Sequence, residues 1–302
     1  VLVVGASVAA VAQSRNRTRS APSKPIERSV PGVQVHPEAP GPASSLEADR
    51  RRNRRWPVRA ALVGAVIVGV LAGLIALPIS LPVSGILAVL VGIIIFFLLR
   101  RVAPRGVARS IGAGPVEPGQ LPRVETLLAG LSVTMGVATP SISVLLDEVP
   151  NAAIIGTRAE PLLVLTSGLV ASLSVVELEG VLAQLLANQR LDAVERGTAG
   201  AGIALLLSGI GRRRAHRLIG RGRLFVADDL AVLATRYPPA LAAALRAMEQ
   251  GPLPVQGSFF ASSVYDSLRW LFVDPSVGRR AASDELGDID ATAVRRRALE
   301  ER

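Results

Sequence analysis

The chain contains no cysteine, two histidines and only 3% aromatic residues over its 302 positions. Without cysteine there are no disulfides, no thiolate metal ligands and no thiol nucleophile. The compartment is left open, because a cysteine-free chain suits either side of a membrane. Lys24 is the only lysine, so arginine carries the net charge of +10. Such a charge fits nucleic acid or anionic lipid headgroups. Single-strand binders stack bases on aromatic rings, and no basic patch interleaved with aromatics is present. No nucleic-acid partner is expected. What the chain has in excess is aliphatic: 50% of its residues are hydrophobic and its mean hydropathy is +0.42.

Residues Val1 to Ala12 (VLVVGASVAAVA) are apolar. They are too few for a bilayer span of roughly 20 residues, and the basic stretch that opens a signal peptide is missing. A truncated signal, a misplaced start and a surface-lying segment stay open as readings. From Gln13 the composition turns to Pro, Ser, Arg, Gly and Glu without apolar periodicity. Residues 1–56 therefore read as a disordered Pro/Arg-rich N-terminal tail, with His36 a solvated loop residue inside it.

No charge interrupts the sequence from Ala60 to Leu99. The stretch is too long for one span and suits two, about 60–77 and 82–99, turning at Pro78, Ser80, Pro82, Ser84 and Gly85. Residues 57–101 thus read as a transmembrane hairpin, with Gly64, Gly69 and Gly73 allowing close backbone approach. Arg50, Arg51, Arg52, Arg54, Arg55 and Arg59 precede it; Arg100, Arg101, Arg105 and Arg109 follow. Arginine on both flanks predicts a multi-pass protein of the cytoplasmic membrane, with N- and C-termini cytoplasmic and anionic headgroups as partners.

Residues 107–302 read as a mixed α/β domain. Leu121–Leu131 has helical spacing, Ile142–Leu146 and Pro161–Thr166 read as strands, and Val175–Arg190 is an amphipathic helix capped by Ser174. Thr198–Ile210 is apolar and short, either a buried helix or a membrane-dipping segment. The arginines from Arg212 to Arg223 after it suit an anionic leaflet. Phe225–Met248 is helical with a break at Tyr237-Pro238-Pro239, and Val294–Arg302 reads as a charged surface helix.

The order PNAAIIGTR (Pro150–Arg158), PLLVLTSGLVASLSVVELEGVLAQLLANQR (Pro161–Arg190), FVADDLAV (Phe225–Val232), LRWLFVDP (Leu268–Pro275) and a closing RRRALEER resembles the HtpX-type family of membrane zinc metallopeptidases, which includes the CAAX-prenyl endopeptidases. The resemblance covers roughly Leu121 to Arg302, and the hairpin in kind. It implies an α+β fold: a mainly helical, gluzincin-like metallopeptidase domain (residues 107–302, cytoplasmic) with a small sheet, behind an N-terminal transmembrane helical hairpin. It also implies zinc as cofactor. In the family, two His one helical turn apart bind the metal, a Glu between them takes a proton from bound water, and a later Glu completes the ligands.

Here Leu178-Glu179-Gly180-Val181-Leu182-Ala183 fixes the register, so the first ligand position holds Gln184, the base position Leu185 and the second ligand position Asn188. Aligning Ala227-Asp228 with the family's Ala-Asp pair puts Leu224 at the third. Neutral amides bind zinc weakly, and leucine neither binds a metal nor moves a proton. The expectation is no metal, no cofactor and no catalytic residue. His216 lies among arginines (GRRRAHRLIGRGR) that repel a cation, and Glu177, Glu179, Asp192 and Glu195 lack metal spacing. Ser167 and Ser208 sit in no G-x-S-x-G elbow, and Gly197–Gly202 matches no nucleotide loop. Asp228 and Asp229 read as a site-neighbouring residue and a solvated one, not as a catalytic pair.

The resemblance further implies a peptide paired along an edge strand, here Asn151, Ala152, Ala153, Ile154, Ile155 and Gly156, which needs no zinc. A groove lined by Ile154, Ile155, Gln184 and Asn188 would hold it; alternatively the groove has closed around Leu185 and Leu224. Three readings follow. The residues favour a catalytically inactive pseudopeptidase that binds or regulates membrane proteins or an active relative. The others are a membrane metalloendopeptidase with a divergent site, and a structural membrane protein without peptide binding.

Overall fold

A computed structural model describes residues 42–78, 80–205, 223–277 and 292–301. His36, His216, Ser208, the apolar segment 1–12 and the arginines between 212 and 221 lie outside the described residues, as does most of the expected tail.

Two long helices, α1 (Pro42–Ala76) and α2 (Leu81–Ile111), form an antiparallel hairpin. Glycine sets their spacing. A Cβ at Gly69 would stand 2.6 Å from Ala88 O, one at Gly73 3.0 Å from Ala88 Cβ, and one at Gly92 3.3 Å from Ala65 O. At Gly69 a side chain would collide with the facing backbone, and at Gly73 and Gly92 it would be tight, so small residues set this close approach between apolar helices. Leu62, Val66, Ile67, Leu74 and Ile75 on α1, with Ile86, Val89, Ile93, Ile94 and Phe97 on α2, point outward and are exposed. Glu47–Ala76 is long and apolar enough to cross a membrane, and 22% of its apolar window is buried, so it is no core helix; the apolar Leu81–Phe97 accompanies it.

Both helices run past the apolar stretch. Residues 42–56, expected within the disordered tail, are helical. Ion pairs Glu47–Arg51 (3.8 Å) and Asp49–Arg52 (2.8 Å) support this turn of helix at the i,i+4 and i,i+3 spacings that bring side chains together. Buried Asn53 ties it to the domain. α2 continues unbroken to Ile111, where Gly112 takes the left-handed conformation (φ 73°) that ends a helix. The helix thus carries the apolar stretch directly into the domain, whose core includes Val107 and Ile111.

Among the described residues four strands form one sheet in the order β1 (Gly114–Pro115), β2 (Ser141–Leu145), β4 (Pro161–Thr166), β3 (Ala152–Gly156). β2 and β4 are parallel; the other pairs are antiparallel. Side chains alternate between two cores, as strand periodicity requires. Ala152, Ile154, Leu163 and Leu165 face the helical layer, and Ala153, Ile155 and Val164 face Val107, Phe260, Tyr265 and Phe272.

The helical layer comprises α3 (Pro122–Met135), α4 (Ser167–Ser172), α5 (Val175–Arg190), α6 (residues 193–205), α7 (Arg223–Thr235), α8 (Pro238–Gln250) and α10 (Thr292–Glu300); α9 (Ser263–Leu268) lies on the other face of the sheet, with Tyr265 and Leu268 in the second core. α7 and α8 part at Arg236, which has φ 55° ahead of the Tyr237-Pro238-Pro239 turn. In α6, Thr198, Ala201 and Ala204 are buried, so the described part of the 198–210 run is a packed helix. α10 lies at the surface as expected, but one face is buried: Thr292, Arg295 and Leu299 pack inward, and α10 rests on α8.

Candidate functional site

α5 is the central helix of the domain. Ser174 Oγ accepts from Glu177 N (3.4 Å), and Ser174 N donates to Glu177 Oε2 (2.8 Å); this capping box satisfies two otherwise orphaned N–H groups. At Gly180 a Cβ would come within 2.8 Å of Leu241 N, so glycine there lets α8 lie directly on α5. α3 and α7 also pack against it.

Gln184 and Asn188 lie one turn apart on this helix with Leu185 between them, and all three are buried. Gln184 is 0% exposed, and neither of its amide atoms has a hydrogen-bond partner. Asn188 Nδ2 donates back to Gln184 O (3.2 Å), which leaves Asn188 Oδ1 unpartnered. Leu185 is part of the apolar core, and Leu224 is buried on α7. These four positions thus lie on packed helices, three on α5 and Leu224 on α7.

Zinc does not fit this donor set. It offers two neutral amides and two leucines, with no imidazole and no carboxylate. Among the described residues no three His, Asp or Glu side chains gather where a metal would be held. Three of the carboxylates flanking α5 have other partners. Glu177 closes the cap, Asp192 pairs with Arg158 (3.5 Å) and Arg50 (3.9 Å), and Glu195 Oε1 accepts from Arg158 N (2.9 Å).

β3 is the edge strand of the sheet, yet all five of its residues are buried. Its outer side is partly taken by the chain itself. Val273 N donates to Ala152 O (2.9 Å), Ala153 bridges antiparallel to Phe272, and Gly156 N donates to Thr198 Oγ1 (3.0 Å). Asn151 fastens this arrangement: its Nδ2 donates to Asp274 O (2.7 Å) and its Oδ1 accepts from Asp274 N (3.1 Å). The strand expected to be open for an incoming peptide therefore has its N-terminal half covered by residues 272–274. Asn151 serves as a clamp for that cover.

Two residues that sequence reasoning missed hold the site in place. Arg295 donates from Nε and Nη2 to the two oxygens of Asp228 (2.7 Å each) and from Nη1 to Val273 O (2.6 Å). Asn53, on the anchor helix, donates from Nδ2 to Leu191 O (2.9 Å), and Leu191 is the C-cap residue of α5. Asn53 Oδ1 accepts from Arg196 Nη1 (2.9 Å), and Arg196 lies 5.9 Å from the Trp56 ring centre. Burial, and secondarily Arg52, lower the Arg196 pKa, while Asp49 opposes them. One available signal was a lone Asn inside RRRNRRW. The other was the phase of Arg295, three and four residues from Thr292 and Leu299 on one face of α10.

The fold and site define a mainly helical domain with a small mixed sheet, built on a buried central helix and continuous with an apolar helical hairpin. Its sequence is similar to those of proteins named Protease HtpX homolog. The one from Tropheryma whipplei (strain TW08/27) is 28% identical over 48% of this chain and 62% of its own length. That from Halobacterium salinarum is 32% identical over 33% of this chain and 34% of its own. That from Ligilactobacillus salivarius is 26% identical over 61% of this chain and 79% of its own. These similarities support membership of the HtpX-type family. The chain spans about 62% of the length of the Tropheryma relative. No family model and no solved structure matches the chain.

Proposed function

We propose that the chain is a catalytically inactive HtpX-like membrane pseudopeptidase, acting as a binding or regulatory protein at the cytoplasmic face of the membrane. The observation that carries this reading is the buried Gln184–Leu185–Asn188 face of α5. A metallopeptidase needs a carboxylate base beside a metal-bound water, and Leu185 has no group that can accept a proton. Residues fit for zinc are lacking there, so no hydrolytic step is assigned to this face. The apolar hairpin with arginine on both flanks supports a two-span anchor with both termini cytoplasmic and anionic lipid against its ends. Membrane proteins and active relatives of the family are the partners this placement favours.

The covered edge of β3 bears on the binding mode. With Phe272 and Val273 against Ala152 and Ala153, a peptide adding to the sheet there would have to displace the chain's own backbone. Contacts with a partner are therefore assigned to surfaces other than this half of the edge, which brings the reading close to a structural membrane protein without peptide binding.

The test is cleavage. The full chain, reconstituted in lipid vesicles with zinc supplied, is incubated with an unfolded protein such as casein. No products above the no-protein control are expected. Cleavage abolished by a chelator would establish the alternative, a metalloendopeptidase with a divergent site.

A further inference from the structure

The two hairpin helices end on different layers of the domain. α1 ends on the helical layer, where Asn53 caps α5 at Leu191 O and Trp56 lies beside Arg196. α2 ends on the sheet, where Val107 and Ile111 pack with Ala153, Ile155 and Val164. Between these ends the helices meet at a tight glycine contact formed by Gly69, Gly73, Ala88 and Gly92. The arrangement is that of a pair of scissors, with its pivot in the apolar zone and its two handles on α5 and on the sheet.

Lengths decide whether this matters. At about 1.5 Å per residue, Asn53 stands about 24 Å from Gly69, and Val107 about 22 Å from Gly92. A change of about 5° in crossing angle then moves the handles by about 2 Å relative to each other. A hydrogen bond of normal geometry does not stretch so far, so either the Asn53 cap breaks or the end of α5 moves against β3. The two apolar stretches are also unequal, about 25 Å for Ala60–Ala76 and about 28 Å for Leu81–Leu99, against a hydrocarbon core of about 30 Å. In a bilayer thinner than these stretches the longer one tilts more, and in a thicker one the shorter one has the larger mismatch, so a change in thickness acts on the two helices unequally.

We propose that the hairpin is a lever through which bilayer thickness sets the position of the C-terminal end of α5 relative to the sheet, with Asn53 as the coupling residue. This rests on the membrane-anchored reading above. Pro57, inside α1 between the apolar stretch and Asn53, removes one backbone hydrogen bond and is the compliant point of the lever.

The experiment uses the full chain in vesicles of short-chain (dimyristoleoyl) or long-chain (dierucoyl) phosphatidylcholine. Amide hydrogen exchange is read at residues 187–191, with β4 as an internal control for folding. The wild type is expected to differ about tenfold or more at 187–191 between the two lipids, with β4 unchanged. Asn53→Ala is expected to abolish the difference, and Pro57→Ala, which stiffens α1 without touching the cap, to enlarge it. Equal exchange of the wild type in both lipids, in vesicles with which it co-floats, overturns the lever and leaves the anchor intact. Failure to co-float with vesicles overturns the anchor reading and the lever with it. An Asn53→Ala variant with protected β4 and an undiminished lipid response also overturns the coupling.

Discussion

Arg295 and Asp228 form a two-pronged ion pair, 2.7 Å at each contact, with side chains 0% and 2% exposed. The pair joins the C-terminal helix to α7, and through Val273 O to the segment that covers β3. A buried charge left alone costs far more than a pair contributes. Asp228→Asn or Arg295→Met is expected to destabilise the protein by about 3–5 kcal/mol, whereas replacing both with apolar residues of similar volume is close to neutral. Chemical unfolding in detergent, run as a double-mutant cycle, measures both.

Removing the anchor's grip on α5 is expected to cost less. Asn53→Ala takes away the donor to Leu191 O and the acceptor for Arg196. A hydrogen bond to a charged group contributes about 1.5–3 kcal/mol, which sets the expected loss. Asn53→Asp keeps the acceptor and is expected to retain about half of it. The same unfolding assay distinguishes the two variants.

β4 and α5 were easier to read from the sequence than residues 42–56 and α10. β4 and α5 keep the bounds expected from composition and capping, because Ser174, Glu177 and the apolar period of VVELEGVLAQLLANQR all point to one helix. β2 is shifted by one residue, to Ser141–Leu145. The misreadings share a cause. Residues 42–56 and α10 look like solvated charged segments, and each is held by one buried polar residue whose partner is distant in sequence: Asn53 with Leu191, Arg295 with Asp228. Such pairings leave no periodic trace. That Leu185 and Leu224 are buried was one of the two readings the sequence offered; the burial of Gln184 and Asn188 and the cover on β3 were not legible, since both depend on which elements pack together.

Gly180 is expected to tolerate no side chain. A methyl group there meets Leu241 N and Cα at 2.8 and 3.0 Å, both backbone atoms of α8. Gly180→Ala gains helix propensity but wedges α8 off α5, and overpacking of this kind costs about 1–3 kcal/mol. A fall in melting temperature confirms the wedge; a rise shows that the helices yield.

Glu300 gives the end of α10 a dependence on pH. Hydrogen bonds from Arg296, and then from Arg246, hold its carboxyl below the usual carboxylate range. A depressed folded pKa contributes stability that is present above the unfolded pKa and lost as pH falls through the folded one. The last turn of α10 is therefore expected to loosen only in acid, below the usual carboxylate range. Amide exchange of residues 296–301 against pH reads this directly, and Glu300→Gln removes the dependence.

The central claim is that Gln184, Leu185, Asn188 and Leu224 leave no zinc site. The direct measurement is metal content of the full chain, purified in detergent without chelator and dialysed against zinc, by elemental mass spectrometry. The account predicts zinc far below one per chain, with Gln184→His, Leu185→Glu, Asn188→His and Leu224→Glu together raising it. About one zinc bound per wild-type chain would contradict it.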